Sequence, residues 1–139
     1  MSNKTASNSY LTFNGNCREA MTFYKSCLGG DLHIMNFEGT PMDVPAQAKN
    51  LVLHANLINE GIHLMASDAM PDKPVIIGNN ISLSLNCESK EQANTFYAKL
   101  SSGGKQTMPM QHTFWGAWFG MLTDQFGVNW MFNFDEPKA

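Results

Sequence analysis

Hydrophobic and polar residues follow helical or alternating patterns along most of the chain, and these patterns predict one unit twice. In the first half they indicate a strand at 10–13, a helix at 17–28, and strands at 32–37, 51–58 and 62–67. In the second half they indicate a strand at 81–87, a helix at 90–101, and strands at 105–111, 117–123 and 128–134. Each half is therefore predicted to contain a strand, a helix and three further strands.

A repeated phrase at the two helices supports this duplication. NCREAMTFYKSCLGG at 16–30 matches SKEQANTFYAKLSSG at 89–103 with a shift of 73 positions. The shift aligns the N-cap residues Asn16 and Ser89, each followed three positions later by Glu19 or Gln92, as in a capping box. Glycines follow both helical patterns and predict where the helices end. We therefore expect the two helices to begin and end in the same way.

Length and composition narrow the class of protein. The 139 residues fit one domain or two packed halves, and a hydrophobic content of 43% allows a real core. A net charge of -3 gives no basic surface for nucleic acid, and no apolar run is long enough for a membrane span. The polar N-terminus lacks the apolar segment of a signal peptide. Three cysteines without CxxC spacing indicate reduced thiols in a cytoplasmic protein.

The same patterns give an expected domain organisation. We expect a flexible N-terminal tail at 1–9 and a single domain at 10–139. That domain would consist of modules 10–68 and 81–134, joined by a linker at 69–80 that contains two prolines.

Several phrases resemble one protein family over residues 10–134. They are YLTFNGNCREAMTFY at 10–24, LHANL at 53–57, LMASDAMP at 64–71, MPMQ at 108–111 and TFWGAWFGMLTDQFGVNWMFN at 113–133. They resemble the PhnB-like branch, often labelled 3-demethylubiquinone methyltransferase-like, of the vicinal-oxygen-chelate superfamily. That superfamily includes glyoxalase I, extradiol dioxygenases and bleomycin-resistance proteins. The chain has no glycine-rich nucleotide-binding motif, so the label does not by itself imply methyl transfer.

The resemblance implies an α+β fold of the glyoxalase type and a homodimer. Two tandem βαβββ modules would form a curved mixed sheet around a cleft. A small molecule bound in that cleft is the expected partner, and neither nucleic acid nor a membrane is expected.

Metal-using members of the superfamily take His, Glu or Gln ligands from the first and last strand of each module. Carried over to this sequence, those positions fall on Ser9, its repeat mate Ser82, Met131 and the segment 65–67. Hydroxyl and thioether groups do not hold Zn, Fe or Mn firmly, because such sites need imidazole or carboxylate ligands. We therefore predict no metal and no other cofactor.

Residues of the second half are predicted to line the cleft. Met131 takes the inward ligand position, so Asn129 and Asn133 should face the same way, while the alternate aromatic residues pack under the helix. Ser82, Ser84 and Asn86 are expected to join them. Four aromatic residues could form a wall: Phe114, Trp115, Trp118 and Phe119. An aromatic stripe with strand spacing is more often part of a core.

Three residues of the first half complete the predicted ligand site. His54 lies mid-strand between apolar neighbours, where an imidazole must find hydrogen-bond partners. Ser67 and Asp68 end the fourth strand. Asp68 could accept a hydrogen bond from a ligand or act as a general base, and the alternative is an aspartate that caps a turn. His112, before the loop 113–116, is a candidate for the rim of the cleft.

These residues favour a metal-free small-molecule binding protein. The alternative is a metal-dependent lyase, dioxygenase or transferase of the same superfamily, and a third possibility is a structural or regulatory dimer without a ligand. No Ser–His–Asp or Cys–His spacing indicates a nucleophile. The sequence therefore names no catalytic residue and leaves open whether the protein is an enzyme.

Overall fold

The computed structural model of the chain describes residues 4–138 and contains two compact units, Met1–Ile76 and Ile77–Ala139. The boundary falls inside the predicted linker, so each unit contains one predicted module. Residues 1–3 of the predicted tail lie outside the described part of the chain, and Ser9 already belongs to the first strand. The single-domain organisation stays a prediction.

The first unit is a four-stranded mixed sheet with one helix on it. Its elements are β1 (Ser9–Phe13), α1 (Cys17–Leu28), β2 (Asp31–Asn36), a short 3-10 helix (Ala46–Ala48), β3 (Val52–Asn59) and β4 (Ile62–Asp68). The strand order is β1-β4-β3-β2, with β1 and β4 parallel and the other pairs antiparallel. The buried face of α1 supplies Ala20, Met21 and Tyr24 to the core.

The second unit repeats this architecture. Its elements are β5 (Ser82–Asn86), α2 (Lys90–Leu100), β6 (Lys105–His112), β7 (Ala117–Thr123) and β8 (Asn129–Asp135). The order β5-β8-β7-β6 matches that of the first sheet, again with one parallel pair. The observed elements confirm the predicted α+β class and the duplicated βαβββ order.

Each sheet has two sides with different chemistry. The helix face is the side whose residues are buried beneath the helix, and the open face is the other side. In the second unit Trp130 and Phe132 are fully buried on the helix face, which confirms that the aromatic stripe of β8 packs under α2. In the first unit Leu64 and Ala66 of β4 take the corresponding positions, opposite Leu57 and Ala55 of β3, and all four are buried.

Glycines at the ends of the helices allow a close approach in both units. A Cβ on Gly30 would lie 2.4 Å from the Ile58 carbonyl oxygen, and a Cβ on Gly104 would lie 2.4 Å from the Thr123 carbonyl oxygen. Gly30 also has a φ of +95°, which L residues rarely adopt. The glycine stop predicted from the sequence is therefore required by packing against the third strand of each module.

The capping box predicted at α1 is absent, and a distant carboxylate takes its place. Asn16 makes no side-chain cap hydrogen bond. Instead, one carboxylate oxygen of Asp68 accepts from the backbone N–H groups of Gly15 at 3.0 Å and Cys17 at 2.9 Å. The backbone N–H groups at the start of α1 are therefore bonded by a residue of β4, the last strand of the module. The residue spacing around Asn16 could not predict a partner so distant in sequence.

The second helix has the predicted local cap. Ser89 Oγ accepts from the Gln92 backbone N–H at 3.0 Å, and Gln92 Oε1 accepts from the Glu88 backbone N–H at 2.8 Å. The return bond reaches Glu88 rather than the N-cap residue itself. The box therefore spans one more residue than the usual motif.

Ser9 and Ser82 are not equivalent positions, although the helix repeat aligns them. Ser9 lies opposite Leu64, which is buried on the helix face of the first sheet. Ser82 lies opposite Asn129, on the open face of the second sheet. Because successive strand residues point to opposite sides, an offset of one residue relative to the helices reverses the face. Their predicted equivalence is wrong.

Candidate functional site

A row of methionines crosses the open face of the second sheet. Met131 pairs in register with Met121, and Met121 pairs with Met108. Ser84 lies beside Met131 on the parallel strand β5. Directly opposed residues share a face, with Cβ atoms about 5 Å apart. The methionine row, defined as Met108, Met121 and Met131, is thus a contiguous strip of half-buried thioethers across three strands.

Two rows of residues flank the methionine row, and most of their side chains are polar and uncharged. On one side the register aligns Asn86, Asn133, Phe119 and Gln111, and on the other it aligns Ser82, Asn129, Thr123 and Lys105. Lys105 stands at the outer edge, on β6. The central part of this open face therefore combines an apolar strip with neutral hydrogen-bonding groups.

The two asparagines of β8, Asn129 and Asn133, differ in the hydrogen bonds that their side chains make. Asn129 accepts from Thr123 Oγ1 at 2.7 Å and donates to the Ile81 carbonyl oxygen at 3.2 Å. Asn133 Nδ2 donates to Asn86 Oδ1 at 3.3 Å and to Asp135 Oδ1 at 3.1 Å. Among residues 4–138, Asn133 Oδ1 and Asn86 Nδ2 have no hydrogen-bond partner. Both residues lie on the open face of the sheet.

Aromatic rings extend this open face into the loop between β6 and β7. Phe119 meets Trp115 edge-on with ring centroids 6.0 Å apart, and Trp115 meets Phe114 in the same way at 5.0 Å. Phe114 is 98% exposed and Trp115 is 58% exposed. Two large apolar rings thus remain in solvent at the tip of a hairpin that begins on the open face.

The structure brings most of the predicted second-half residues together. Ser82, Ser84, Met131 and Asn133 share the open face, and ring contacts connect Phe114 and Trp115 to it through Phe119. Nothing in the structure shows a ligand against them, so their role in binding stays a prediction.

Trp118 does not belong to this group, contrary to expectation. Trp118 pairs with Phe134 on β8, and both side chains point to the helix face of the sheet. Its indole N–H donates to Asn94 Oδ1 at 2.8 Å, and Lys90 Nζ lies 4.0 Å from the ring centroid. His112 packs edge-on against the same ring and hydrogen-bonds Glu136 at 2.5 Å. This cluster fastens α2 and the C-terminal segment to the sheet edge.

The open face of the first sheet carries different residues. Ser67 pairs with Thr12 on β1, and His54 pairs with Met35 on β2. The Tyr10 hydroxyl lies 3.5 Å from His54 Nδ1. The imidazole therefore has a polar neighbour, as its position between apolar residues predicted. His63 hydrogen-bonds Asn56 at 2.6 Å on the same side. His54 and Ser67 are therefore placed on an open face, but in the first unit.

Asp68 has a structural position on the helix face of β4. It is only 7% exposed. Besides its two bonds at the start of α1, its second carboxylate oxygen accepts from the Val52 backbone N–H at 2.9 Å. Three backbone donors occupy the carboxylate, so the geometry favours the capping interpretation over a ligand acceptor or general base.

The thiols are poor nucleophiles. Burial raises the pKa of the Cys17 thiol to about 12, and the nearby Asp68 carboxylate adds to the rise while Arg18 opposes it. Burial also raises the pKa of the Cys87 thiol. Cys17, Cys27 and Cys87 are thiols and not disulfides. Because the thiolate is the reactive species, these pKa directions argue against covalent catalysis by Cys17 or Cys87.

The donor chemistry does not fit the divalent metal site of the superfamily. Within residues 4–138, no three His, Cys, Asp or Glu side chains are grouped so that they could hold a metal ion. The positions expected to supply ligands carry serine and methionine. The absence of a metal stays a prediction.

Two cavities lie in loops of the first unit. One, of about 280 Å³, is lined by segment 37–44 and Lys49. The other, of about 180 Å³, is lined by Asn14, Gly15 and residues around Pro71 and Pro74. Neither includes a predicted site residue. No helix among the described residues is both long and apolar enough to cross a membrane.

Met108 and Met121 were missed by the sequence reasoning. The alternation of Phe119, Met121 and Thr123 along β7 could have revealed Met121, because it repeats the pattern of β8. Met108 was hidden, because register shifts between Gln106 and Met108 and between Met108 and Gln111 break the alternation on β6.

The fold and the sequence together define the class. A glyoxylase/bleomycin resistance protein/dioxygenase domain from Frankia sp. EAN1pec has the same fold, with a TM-score of 0.67 at 15% identity, covering 99% of this chain and 96% of that one. This likeness shows that the two proteins share a fold. Residues 5–132 match the model of the family described as 3-demethylubiquinone-9 3-methyltransferase, and the chain belongs to that PhnB-like family.

Two relatives resemble the chain over nearly its whole length. Protein YjdN of Escherichia coli (strain K12) is 34% identical over 135 residues, which cover 89% of this chain and 91% of YjdN. The crystal structure of protein PA1353 from Pseudomonas aeruginosa is 43% identical, with a TM-score of 0.87, and covers 96% of this chain and 100% of that one.

Proposed function

We propose that the chain is a metal-free small-molecule binding protein whose ligand contacts the open face of the second sheet. The methionine row carries this proposal. A side of an antiparallel sheet that only faces water is normally polar. Here the centre of the open face holds three thioethers, and the adjoining loop exposes two aromatic rings. Apolar surface of this kind marks a site of interaction, and methionine suits a pocket that adapts to its ligand.

The side chains of this face favour binding over chemistry. Serine, asparagine and threonine dominate its polar positions, and its charged groups, Lys105 and Asp135, stand at the periphery. A general acid or base would need a titratable group near the reacting atoms. The central rows supply none, so they can hold and orient a ligand without transferring protons.

The alternative is a metal-dependent lyase, dioxygenase or transferase of the same superfamily. Elemental analysis of protein purified without affinity metals or chelators tests it directly. We expect less than a tenth of an equivalent of any divalent transition metal per chain. One equivalent that survives dialysis would contradict the proposal and favour the enzyme.

A thermal-shift screen of aromatic and apolar compounds tests binding. A compound at 100 times its dissociation constant should add about 2.7 kcal/mol to the free energy of unfolding. Met131→Gln should weaken any hit about tenfold, because it replaces a thioether with an amide that must be desolvated. Met42→Gln makes the same change at an exposed loop residue and is the matched control. A broad screen without any shift would favour a dimer without a ligand.

We also infer a homodimer in the reducing cytoplasm. The resemblance implies the dimer, and free, half-buried or buried cysteines suit a compartment that keeps thiols reduced. Sedimentation equilibrium measures the first expectation. A monomer at micromolar concentration would refute it without affecting the binding proposal.

A further inference from the structure

Asn14 and Gly15 form the single Asn-Gly sequence of the chain, in the turn between β1 and α1. An asparagine that precedes glycine is especially prone to lose its side-chain amide, because glycine has no Cβ to hinder attack by its own backbone nitrogen. Both residues are exposed. A Cβ on Gly15 would meet no atom within 4 Å, so the turn is open to water on that side. The turn therefore has the sequence and the exposure that deamidation requires.

Hydrogen bonds in the folded chain restrain both groups that would react. Asn14 Nδ2 donates to the Val75 carbonyl oxygen at 3.0 Å, and Asn14 Oδ1 accepts from the Val75 backbone N–H at 2.8 Å. The backbone N–H of Gly15 donates to Asp68 at 3.0 Å. Deamidation needs the carboxamide of Asn14 to turn towards the Gly15 nitrogen and that nitrogen to give up its proton. Both sets of bonds must therefore open before the reaction can occur.

The linker segment that contains Val75 has few other attachments to the first unit. Residues 71–80 are all exposed except Val75, which is half-buried. A cavity of about 180 Å³ is lined by Asn14, Gly15, Leu51 and residues of the segment 69–74. Exposed segments without close packing open at low cost. Val75 lies one residue before the end of the first unit at Ile76, so its bonds to Asn14 hold the linker close to the unit boundary.

We propose that Asn14 is a site of spontaneous deamidation in the folded protein and that this modification releases the linker from the first unit. The Gly15 nitrogen gives its proton to a base in solution and attacks Asn14 Cγ. The Cγ–Nδ2 bond breaks, and the amide nitrogen takes up a proton and leaves as ammonia. Water then opens the resulting succinimide ring to give aspartate or isoaspartate. The net reaction consumes one water and releases one ammonia.

The product cannot keep the contact with Val75. Aspartate has no N–H for the Val75 carbonyl oxygen, and its carboxylate would repel that oxygen. Isoaspartate also routes the main chain through Cγ, which displaces the Gly15 nitrogen from Asp68 at the start of α1. Deamidation should therefore free the linker. The proposal does not depend on ligand binding by the second unit, and either can fail without the other.

Peptide mapping by mass spectrometry of aged protein tests the site. Trypsin cleavage after Lys4 and Arg18 gives one peptide with Asn8, Asn14 and Asn16, so two asparagines are internal controls. Samples are kept at pH 8, folded or unfolded in guanidinium chloride. We expect Asn14 to react fastest in both, and the folded chain to react about 10- to 100-fold more slowly, because two ordinary hydrogen bonds must open.

The other results of this mapping would contradict the proposal. Equal rates in the folded and unfolded samples would show that the bonds to Val75 and Asp68 do not restrain the reaction. A folded sample without Asn14 product after one hundred half-lives of the unfolded reaction would overturn the site.

Two substitutions at Val75 test the restraint with the fold intact. Val75→Pro removes the backbone N–H that Asn14 Oδ1 accepts, so deamidation of the folded chain should be at least threefold faster. Val75→Ala keeps that N–H and should leave the rate within twofold of the wild type. Circular dichroism confirms that both variants are folded. Equal rates in the two variants would refute the role of Val75.

Limited proteolysis tests the release of the linker. Thermolysin cleaves before bulky apolar residues such as Val75 and Ile76, and its rate follows the population of the opened segment. Asn14→Asp reproduces one product of the reaction and should be cut in the linker about fivefold faster than the wild type. Asn50→Asp makes the same change at an exposed loop residue of the first unit and should be cut at the wild-type rate. Equal cleavage of Asn14→Asp and the wild type would show that deamidation leaves the linker attached.

Discussion

The two modules share one architecture but fasten their helices by different chemistry. In the first, Asp68 at the end of β4 reaches the start of α1 and also binds the Val52 N–H on β3. In the second, Ser89 and Gln92 cap α2 from within the helix start itself. The duplicated fold therefore preserves the positions of strands and helices and not the bonds that hold them.

The open faces of the two sheets also carry different side chains. The open face of the first sheet contains two separate polar pairs, Tyr10 with His54 and His63 with Asn56. That of the second contains the methionine row and an asparagine pair with an unused donor and acceptor. The two copies of the fold therefore carry different side chains on their open faces.

Asp68→Ala should show the largest difference between the modules. It leaves three backbone N–H groups without their acceptor at a buried site, which should lower the free energy of unfolding by about 3 kcal/mol. Urea unfolding followed by far-UV circular dichroism measures the loss. Asp72→Ala, at an exposed linker residue, is the control and should change stability by less than about 0.5 kcal/mol.

Tryptophan fluorescence adds a second readout to this experiment. All three tryptophans lie in the second unit, so their emission follows that unit alone. Coincident shifts by fluorescence and circular dichroism would show that the units unfold together. If Asp68→Ala has the same urea midpoint of unfolding as the wild type by both probes, the hydrogen bonds of Asp68 do not contribute to stability.

Sequence patterns predicted the elements well because they depend on local spacing. α1 and β7 have the predicted bounds, and the other predicted strands lie within one or two residues of those observed. The bonds of Asp68 could not be predicted, since they join residues far apart in sequence. The face of Ser9 was also wrong, because a repeat measured on helices carries no information about an offset of one residue in the strands.

A second prediction concerns how stability changes with pH through the thiol of Cys17. At the aligned position of α2 the residue is Lys90, so the second helix has no thiol there. Burial and Asp68 raise the pKa of Cys17 from 9.0 to about 12 in the folded protein. Above pH 9 the unfolded chain releases this proton and the folded chain retains it, so stability should fall as pH rises from 9 towards 12. The slope contributed by this one group is about 1.4 kcal/mol per pH unit.

Cys17→Ala removes this contribution and provides the comparison. Unfolding in urea at pH 8, 9 and 10 should show a shallower loss of stability in the variant than in the wild type. Cys27→Ala, at the end of the same helix, controls for the loss of a buried thiol. Parallel pH profiles for the wild type and Cys17→Ala would contradict the raised pKa.

The smallest predicted effect distinguishes the two helix starts most directly. Ser89→Ala removes the acceptor for the Gln92 N–H and should cost about 1 kcal/mol, as is usual for an N-cap. Asn16→Ala, at the position that the repeat aligns with Ser89, should cost only a few tenths of a kcal/mol, because its side chain makes no cap bond. Equilibrium unfolding of the two variants in parallel measures the difference. Equal losses would mean that Asn16 caps α1 in solution and that the modules start their helices alike. A larger loss for Ser89→Ala would agree with the observed bonds, in which Asp68 of β4 and not Asn16 accepts from the backbone at the start of α1.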